Sequence, residues 1–278
     1  MGFKRALRAH GRRGGRLLQA CGRDPKSVVV VAVSKTVGAD EVAEAIEAGA
    51  HDQARTAGLP RGKRARFPQQ TWHFIGNIQS RRIPDIVRDA ALVHSLYQQR
   101  HVPKFDAAAA ASGKVQDVLL EVNVSGEASK SGLAPSEVAG MLEYCAGFPH
   151  VRVRGLMTMA PQGDAQRARA CFADLARLRD EVRLGLDGEQ AAVFDELSMG
   201  MSEDWHEAIA EARHSAHRAT LFDDAPSACV RRGAAMTLNA AAAGPPDENK
   251  QVNSMELPKI KKSEHGMLGN QINWVSQT

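Results

Sequence analysis

The chain has 278 residues, a hydrophobic content of 43% and a formal net charge of +4 at pH 7. This length accommodates one large α/β domain or two small ones, and the hydrophobic content is sufficient for a core. The positive charge lies in a few short stretches, so it favours an anionic small ligand or incidental basic loops over a dedicated nucleic-acid surface. The 4 cysteines are scattered without CxxC spacing, which indicates reduced thiols, a cytoplasmic protein and no zinc site. Since no apolar run is long enough for a membrane span, we expect no membrane segment.

An arginine-rich helix is predicted first, and the stretch VVVVAVSKT at residues 28–36 follows it. Its unbroken run of β-branched and small apolar residues indicates a strand buried on both faces, as in a parallel sheet. Lys35 stands at the C-terminal end of this strand, where ligands bind in α/β folds. Partial burial there favours the neutral amine, which can form a Schiff base with an aldehyde. A lysine that only reaches solvent is the competing interpretation.

The next stretches are a helix and a basic segment. Asp40 can cap a helix that ends at Gly49, which completes one β-α unit. Residues 51–66 then show no periodicity, and their basic residues are not balanced by an acid after Asp52. A phosphate or nucleic-acid site would need aromatic residues or a helix N-terminus. The segment shows neither feature, so we predict a solvated loop.

Strands and helices alternate through the rest of the chain. The predicted strands are TWHFIG, ALVHSLY, QDVLLEVNVS, VRVRGLMTMA and residues 193–201, and the predicted helices are 83–90, 102–111, 137–145, 165–184 and 203–212. If the basic segment is counted as one degraded unit, this alternation predicts an α/β fold of the (β/α)8 TIM-type barrel class. An open doubly wound sheet stays possible, although no GxGxxG follows any predicted strand.

Five sequence blocks carry a family resemblance. In chain order they are AVSKT, WHFIGNIQS, EVNVSGEASKSGL, VRGLMTMAP and LSMGMSEDWHEAI. Together they resemble the pyridoxal-phosphate homeostasis protein family, which is related to the N-terminal barrel of alanine racemase. The resemblance implies a barrel that holds pyridoxal 5′-phosphate as a Schiff base on Lys35 and acts in the homeostasis of that cofactor, without established catalysis. We expect this small molecule to be the partner, with no nucleic acid, no membrane and a monomeric state.

The same resemblance implies further cofactor-binding residues. It places Ser198, Met199, Met201 and Ser202 against the cofactor, with Ser202 donating to its phosphate. Free N–H groups and the dipole at a helix start suit a dianion, although a plain helix N-cap is the alternative role for Ser202. His73 lies on a strand that leads to the same face and is predicted to line the ring. Taken alone, a histidine in an apolar strand is more often a core residue.

Two stretches depart from the family pattern. HDQART stands where the family has Phe-Gly-Glu-Asn at the end of the second strand, and HSAHRATLF stands where it has Arg-Ile-Gly-Thr at the eighth. Segments that match the family flank both departures, and codons compatible with RHSAHRA can encode family-like residues in another frame. We therefore hypothesise compensated frameshifts over residues 51–66 and 213–222, and we expect a barrel that is imperfect at the second and eighth strands.

The resemblance is expected to end at residue 222. We predict a pyridoxal-phosphate-binding barrel over residues 1–222 and a disordered tail over 223–278, because the tail has an alanine run and little apolar periodicity. No predicted segment resembles the β-rich C-terminal domain that supplies an acid or base in related racemases. Three functions stay open: a non-catalytic cofactor-binding protein, a racemase-like enzyme dependent on pyridoxal phosphate, and a damaged family member with an empty pocket.

Overall fold

The computed structural model describes residues 28–34, 38–47, 49–55, 62–201, 203–211 and 219–223. Its strands are all parallel and pair in chain order, and the first strand also pairs with the last, which closes the sheet. The strands are β1 (Val28–Val33), β2 (Asp52–Arg55), β3 (Thr71–Phe74), β4 (Leu92–Leu96), β5 (Gln116–Glu121), β6 (Val151–Met157), β7 (Glu196–Ser198) and β8 (Ala219–Asp223). The predicted α/β fold with a barrel-like parallel sheet is therefore confirmed.

Helices make the crossovers between consecutive strands, as parallel pairing requires. They are α1 (Ala39–Glu47), α2 (Gly62–Arg66), α3 (Ile83–Asp89), α4 (Val102–Ala111), α5 (Val138–Ala146), α6 (Ala165–Leu184), α7 (Gly188–Val193) and α8 (Trp205–Glu211). The helix predicted over residues 165–184 has the same bounds in the structure. Asp164 fixes its start by accepting from the amides of Gln166 and Arg167.

Side chains that alternate along the strands divide the core into two layers. Val93, Val118 and Leu156 belong to the large cluster that includes the helix residues, so they point outward from the sheet. The neighbouring residues Leu92, Leu119 and Met157 form a separate cluster. Because successive side chains of a strand point to opposite faces, this second cluster lies inside the barrel.

The prediction of a solvated loop over residues 51–66 is wrong where β2 and α2 form. The sequence of β2, DQAR, has weak strand propensity, but its backbone pairs with β1 on one edge and β3 on the other. Lys63 of α2 is buried, and its Nζ donates to the carbonyl oxygen of Ser34 at 2.9 Å. The structure of β2 therefore depends on its pairing with strands on both edges and not on its local composition.

Several predicted features lie outside the described residues. They include the N-terminal helix, Lys35, Ser202 and the tail beyond residue 223. The chain divides into a unit of residues 1–238 and a second unit of residues 239–278, and every described residue belongs to the first. The division at residue 222 stays a prediction.

Within the described ranges, no helix is both long and apolar enough to cross a membrane.

Candidate functional site

The residue before Lys35 is held firmly at the C-terminal end of β1. Ser34 is buried, its amide donates to the carbonyl oxygen of Ala54 at 3.1 Å, and its hydroxyl donates to the same oxygen at 3.2 Å. Burial lowers the pKa of Lys63, which donates to the Ser34 carbonyl, and the nearby Glu41 carboxylate opposes that shift. The backbone that leads into Lys35 is therefore held by hydrogen bonds at both the amide and the carbonyl group of Ser34.

Apolar side chains lie beside this strand end. The half-buried side chains of Ile75 and Met201 pack against Val31, Val33 and Ala54. Val33 is the last residue of β1, so this surface lies close to the segment that contains Lys35. Small-molecule sites are typically lined by such apolar groups with a few polar ones. The described residues thus fit the flat ring of pyridoxal phosphate.

The segment after β7 has its side chains in three different environments. Ser198 is fully buried and faces the barrel interior, whereas Met199 is fully buried in the cluster that contains the helices. Met201 faces the apolar surface beside β1. The Met201 amide donates to the carboxylate of Asp204 at 2.5 Å, so a carboxylate already occupies this amide. Ser202 lies outside the described residues.

A chain of polar side chains crosses the barrel interior. His94 Nδ1 lies 2.9 Å from the Ser198 hydroxyl, and His94 Nε2 lies 2.8 Å from His73 Nδ1. His73 Nε2 in turn lies 3.1 Å from an Asp52 carboxylate oxygen. Two strands separate β4 from β7 in the sheet order, so the bond between His94 and Ser198 spans the interior. These four residues are called the interior relay below.

The hydrogen-bond directions in the interior relay follow from its ends. The Asp52 carboxylate accepts from the N–H at His73 Nε2, and in that tautomer His73 Nδ1 is an acceptor. Burial, together with His73, holds the pKa of His94 well below its usual range, so His94 is neutral. His94 then donates through Nε2 and accepts from Ser198. His73 therefore has the two partners expected of a satisfied core histidine, while its predicted contact with the cofactor ring stays a prediction.

A cavity of about 600 Å³ opens beside the ends of β5, β6 and β7. Glu121, the last residue of β5, lines it together with Met201 from the segment after β7. Burial raises the pKa of Glu121 to about 7. Sequence analysis missed this residue, although a carboxylate that interrupts the apolar run of QDVLLEVNVS was a visible signal.

The loop that matches the family around Lys130 has a structural role. Lys130 Nζ donates to the carbonyl oxygen of Met159 at 3.0 Å and lies 3.6 Å from the Glu127 carboxylate. These contacts join the loop after β5 to the loop after β6. Over the described part of the chain, no group of three or more His, Cys, Asp or Glu side chains is arranged to hold a metal ion.

Comparison with known families gives a match over most of the chain. The model of the alanine racemase N-terminal domain matches residues 15–237. The matched range extends past residue 222, where the resemblance was expected to end, while the domain boundary at that residue stays a prediction.

Individual relatives agree with this match. The pyridoxal phosphate homeostasis protein of Pseudomonas aeruginosa is 40% identical over 207 residues, which cover 69% of this chain and 82% of that protein. The protein of the same name from Escherichia coli K12 is 32% identical over 197 residues, covering 68% and 82%.

Solved structures show the same similarity. A protein of unknown function from Bifidobacterium adolescentis has a TM-score of 0.72 at 26% identity, covering 80% of this chain and 93% of that one. PipY of Synechococcus elongatus, solved with pyridoxal phosphate bound, has a TM-score of 0.62 at 27% identity, covering 76% and 98%. The chain therefore belongs to the family of the alanine racemase N-terminal domain and, among its members, to the pyridoxal phosphate homeostasis proteins.

Proposed function

We propose that this chain binds pyridoxal 5′-phosphate covalently through Lys35 and acts in the intracellular homeostasis of that cofactor, without turnover of a substrate. One observation supports this most directly: the apolar surface of Ile75 and Met201 lies beside the end of β1, at the backbone that leads into Lys35. The names of the relatives and the cofactor bound to PipY support the same function.

Each residue has a distinct task in this proposal. Ile75 and Met201 bind the ring through apolar contact, and Ser202 donates to the phosphate. When bound, pyridoxal phosphate supplies an aldehyde that can condense with the amine of Lys35. Ser198 acts indirectly, because its bond to His94 anchors the start of the segment that contains Met199 and Met201. The buried ammonium of Lys63 adds positive charge near the place of a dianion.

The architecture and the setting of the protein are part of the proposal. We assign the sheet to the (β/α)8 TIM type, and the parallel pairing of β1 with β8 supports this assignment. Ligands of such barrels bind at the C-terminal ends of the strands, where Ser34 and Met201 lie. We also propose a cytoplasmic monomer whose partner is the small-molecule cofactor.

Covalent trapping tests the proposal. Borohydride treatment of the protein loaded with pyridoxal phosphate should add the mass of one reduced cofactor to the peptide that contains Lys35. The Lys35→Ala variant should lose both the trapping and the visible absorbance. The matched control is Lys104→Ala, which removes an exposed lysine of α4 and should leave both signals unchanged. Trapping that survives in Lys35→Ala, at another lysine, would overturn the assignment.

A further inference from the structure

Glu121 is a buried carboxylate that faces a cavity. Its relative exposure is 9%, and it lines the cavity of about 600 Å³ at the ends of β5, β6 and β7. Within the described residues, its carboxylate has no hydrogen bond and no ion pair, and burial is the cause of its raised pKa. An uncompensated buried charge is unfavourable, so a carboxylate in this position is typical of a site completed by a ligand.

The other charged groups of the cavity pair with one another. Arg167 donates to a Glu127 carboxylate oxygen at 3.0 Å, and Lys130 lies 3.6 Å from the other oxygen of the same group. Lys130 also donates to the carbonyl oxygen of Met159. The two cations therefore share Glu127, and neither of them pairs with Glu121. A cation that pairs with ionised Glu121 would therefore come from outside these residues.

We propose that this cavity binds a small ligand with an ammonium group, which donates to the carboxylate of Glu121. An ammonium supplies both the missing charge and several donors for the carboxylate oxygens. Ser129, Ser131 and Gln162 line the rim and can bond polar atoms elsewhere in the ligand, while Val122 and Met201 offer apolar contact. Because Met201 also belongs to the proposed cofactor surface, the ligand lies next to the cofactor.

Binding at this site depends on the protonation of Glu121. Burial raises its pKa to about 7, and the other charged groups that face the cavity are Glu127, Lys130 and Arg167. An ammonium binds the carboxylate form, which is about a tenth of the population at pH 6 and about nine tenths at pH 8. The affinity for a cation should therefore rise about tenfold over this interval, during which alkyl amines stay protonated.

Calorimetric titration of the full chain at pH 6 and pH 8 tests the proposal. The probes are ethanolamine and N,N-dimethylethanolamine, both cationic, and the tertiary amine cannot condense with an aldehyde. Ethylene glycol is the neutral control. We expect both amines to bind, about tenfold more tightly at pH 8 than at pH 6, and the glycol not to bind. Absence of amine binding, or equal binding of the glycol, would overturn the proposal without any variant.

Two matched variants locate the site. Glu121→Gln should weaken binding of both amines at least about tenfold at pH 8 and remove the pH dependence, since the charge is lost without a change of shape. Glu127→Gln removes a carboxylate that is already paired in the same cavity, so the pH dependence should remain. Unchanged amine binding in Glu121→Gln would show that the amines bind elsewhere. Repeating the titration in Lys35→Ala separates this inference from the proposed function, because cofactor trapping can fail while amine binding persists.

Discussion

The interior relay shows how a buried pair of histidines can be accommodated. His94 is completely buried, and a lone charged imidazole there would carry a large desolvation cost. The cost is avoided because His94 stays neutral and each of its ring nitrogens has a partner, Ser198 on one side and His73 on the other. The carboxylate of Asp52 then accepts from His73. Paired nitrogens of this kind make the relay a rigid link between β2, β3, β4 and β7.

Glu121, unlike His94, has no described partner for its buried polar group. Burial of its carboxyl group therefore makes the stability of the fold depend on pH. Its pKa rises from 4.5 to about 7 on folding, so the folded state binds the proton more tightly than the unfolded state. The stabilising contribution of the protonated form is complete below pH 4.5 and is lost as the pH rises through 7. At pH 8 the ionised carboxylate therefore costs about 3 kcal/mol.

Glu121→Gln should remove this dependence. We expect the free energy of unfolding of the variant, relative to the unchanged chain, to be about 3 kcal/mol more favourable at pH 8 than at pH 4.5. Urea unfolding at the two pH values measures this difference. Glu127→Gln is the control and should show no such gain, because Glu127 is paired with Arg167. A gain that is equal at both pH values would contradict the assigned cause.

At the scale of elements, the contact between β6 and β7 depends on one glycine. Gly155 has φ +153° and pairs in register with Glu196. A Cβ atom at Gly155 would overlap the carbonyl oxygen of Glu196, which is backbone and cannot move aside cheaply. The missing side chain is therefore what permits these two strands to approach each other.

Gly155→Ala should destabilise the barrel by roughly 3 kcal/mol or more, because both the overlap and the positive φ oppose a side chain. Gly140→Ala is the matched control, since a Cβ there meets no atom within 4 Å. It lies inside α5, where alanine should add about 0.5–1 kcal/mol of stability. Thermal unfolding of both variants measures the contrast, and equal transition temperatures would refute the steric argument.

For the whole molecule, the two stretches that depart from the family pattern become neighbours of the same strand. β2 contains part of one stretch and β8 part of the other, and both strands pair with β1. They therefore flank the strand that leads to Lys35. Whether the departures arise from compensated frameshifts stays a hypothesis, and the coding DNA would refute it if no alternative frame encodes the family residues.

Restoring both stretches should strengthen cofactor binding. The family resemblance implies that the Arg-Ile-Gly-Thr stretch supplies backbone amides to the phosphate. Each lost hydrogen bond to a charged group costs about 1.5–3 kcal/mol, so the loss of two donors would lower the affinity by a factor on the order of a hundred to ten thousand. The comparison is a pyridoxal phosphate titration of this chain against a version with Phe-Gly-Glu-Asn at the second strand and Arg-Ile-Gly-Thr at the eighth. A version with only Arg-Ile-Gly-Thr restored at the eighth strand is the control and should recover part of the affinity. Equal affinity in all three proteins would show that these stretches do not bind the cofactor.

The sequence by itself determined the features that depend on local interactions. The apolar run of β1 predicted a buried parallel strand, and the periodicity of residues 165–184 predicted α6 with the bounds that the structure has. The motif blocks around SMGMS identified the family, which the match over residues 15–237 confirms. Each of these signals lies within a short segment, so neighbouring residues were enough to recognise it.

Only the tertiary structure decided which side chains meet. His73 lies 21 residues from His94, and His94 lies 104 residues from Ser198, so no local pattern predicts their contacts. The position of Glu121, which pairs with no side chain among the described residues, and the pairing of β2 on both edges likewise depend on strand register and on closure of the sheet. The physical reason is that the periodicity of apolar residues along the sequence indicates which residues are buried. The contact partners of a buried residue depend instead on strands that are distant in the chain.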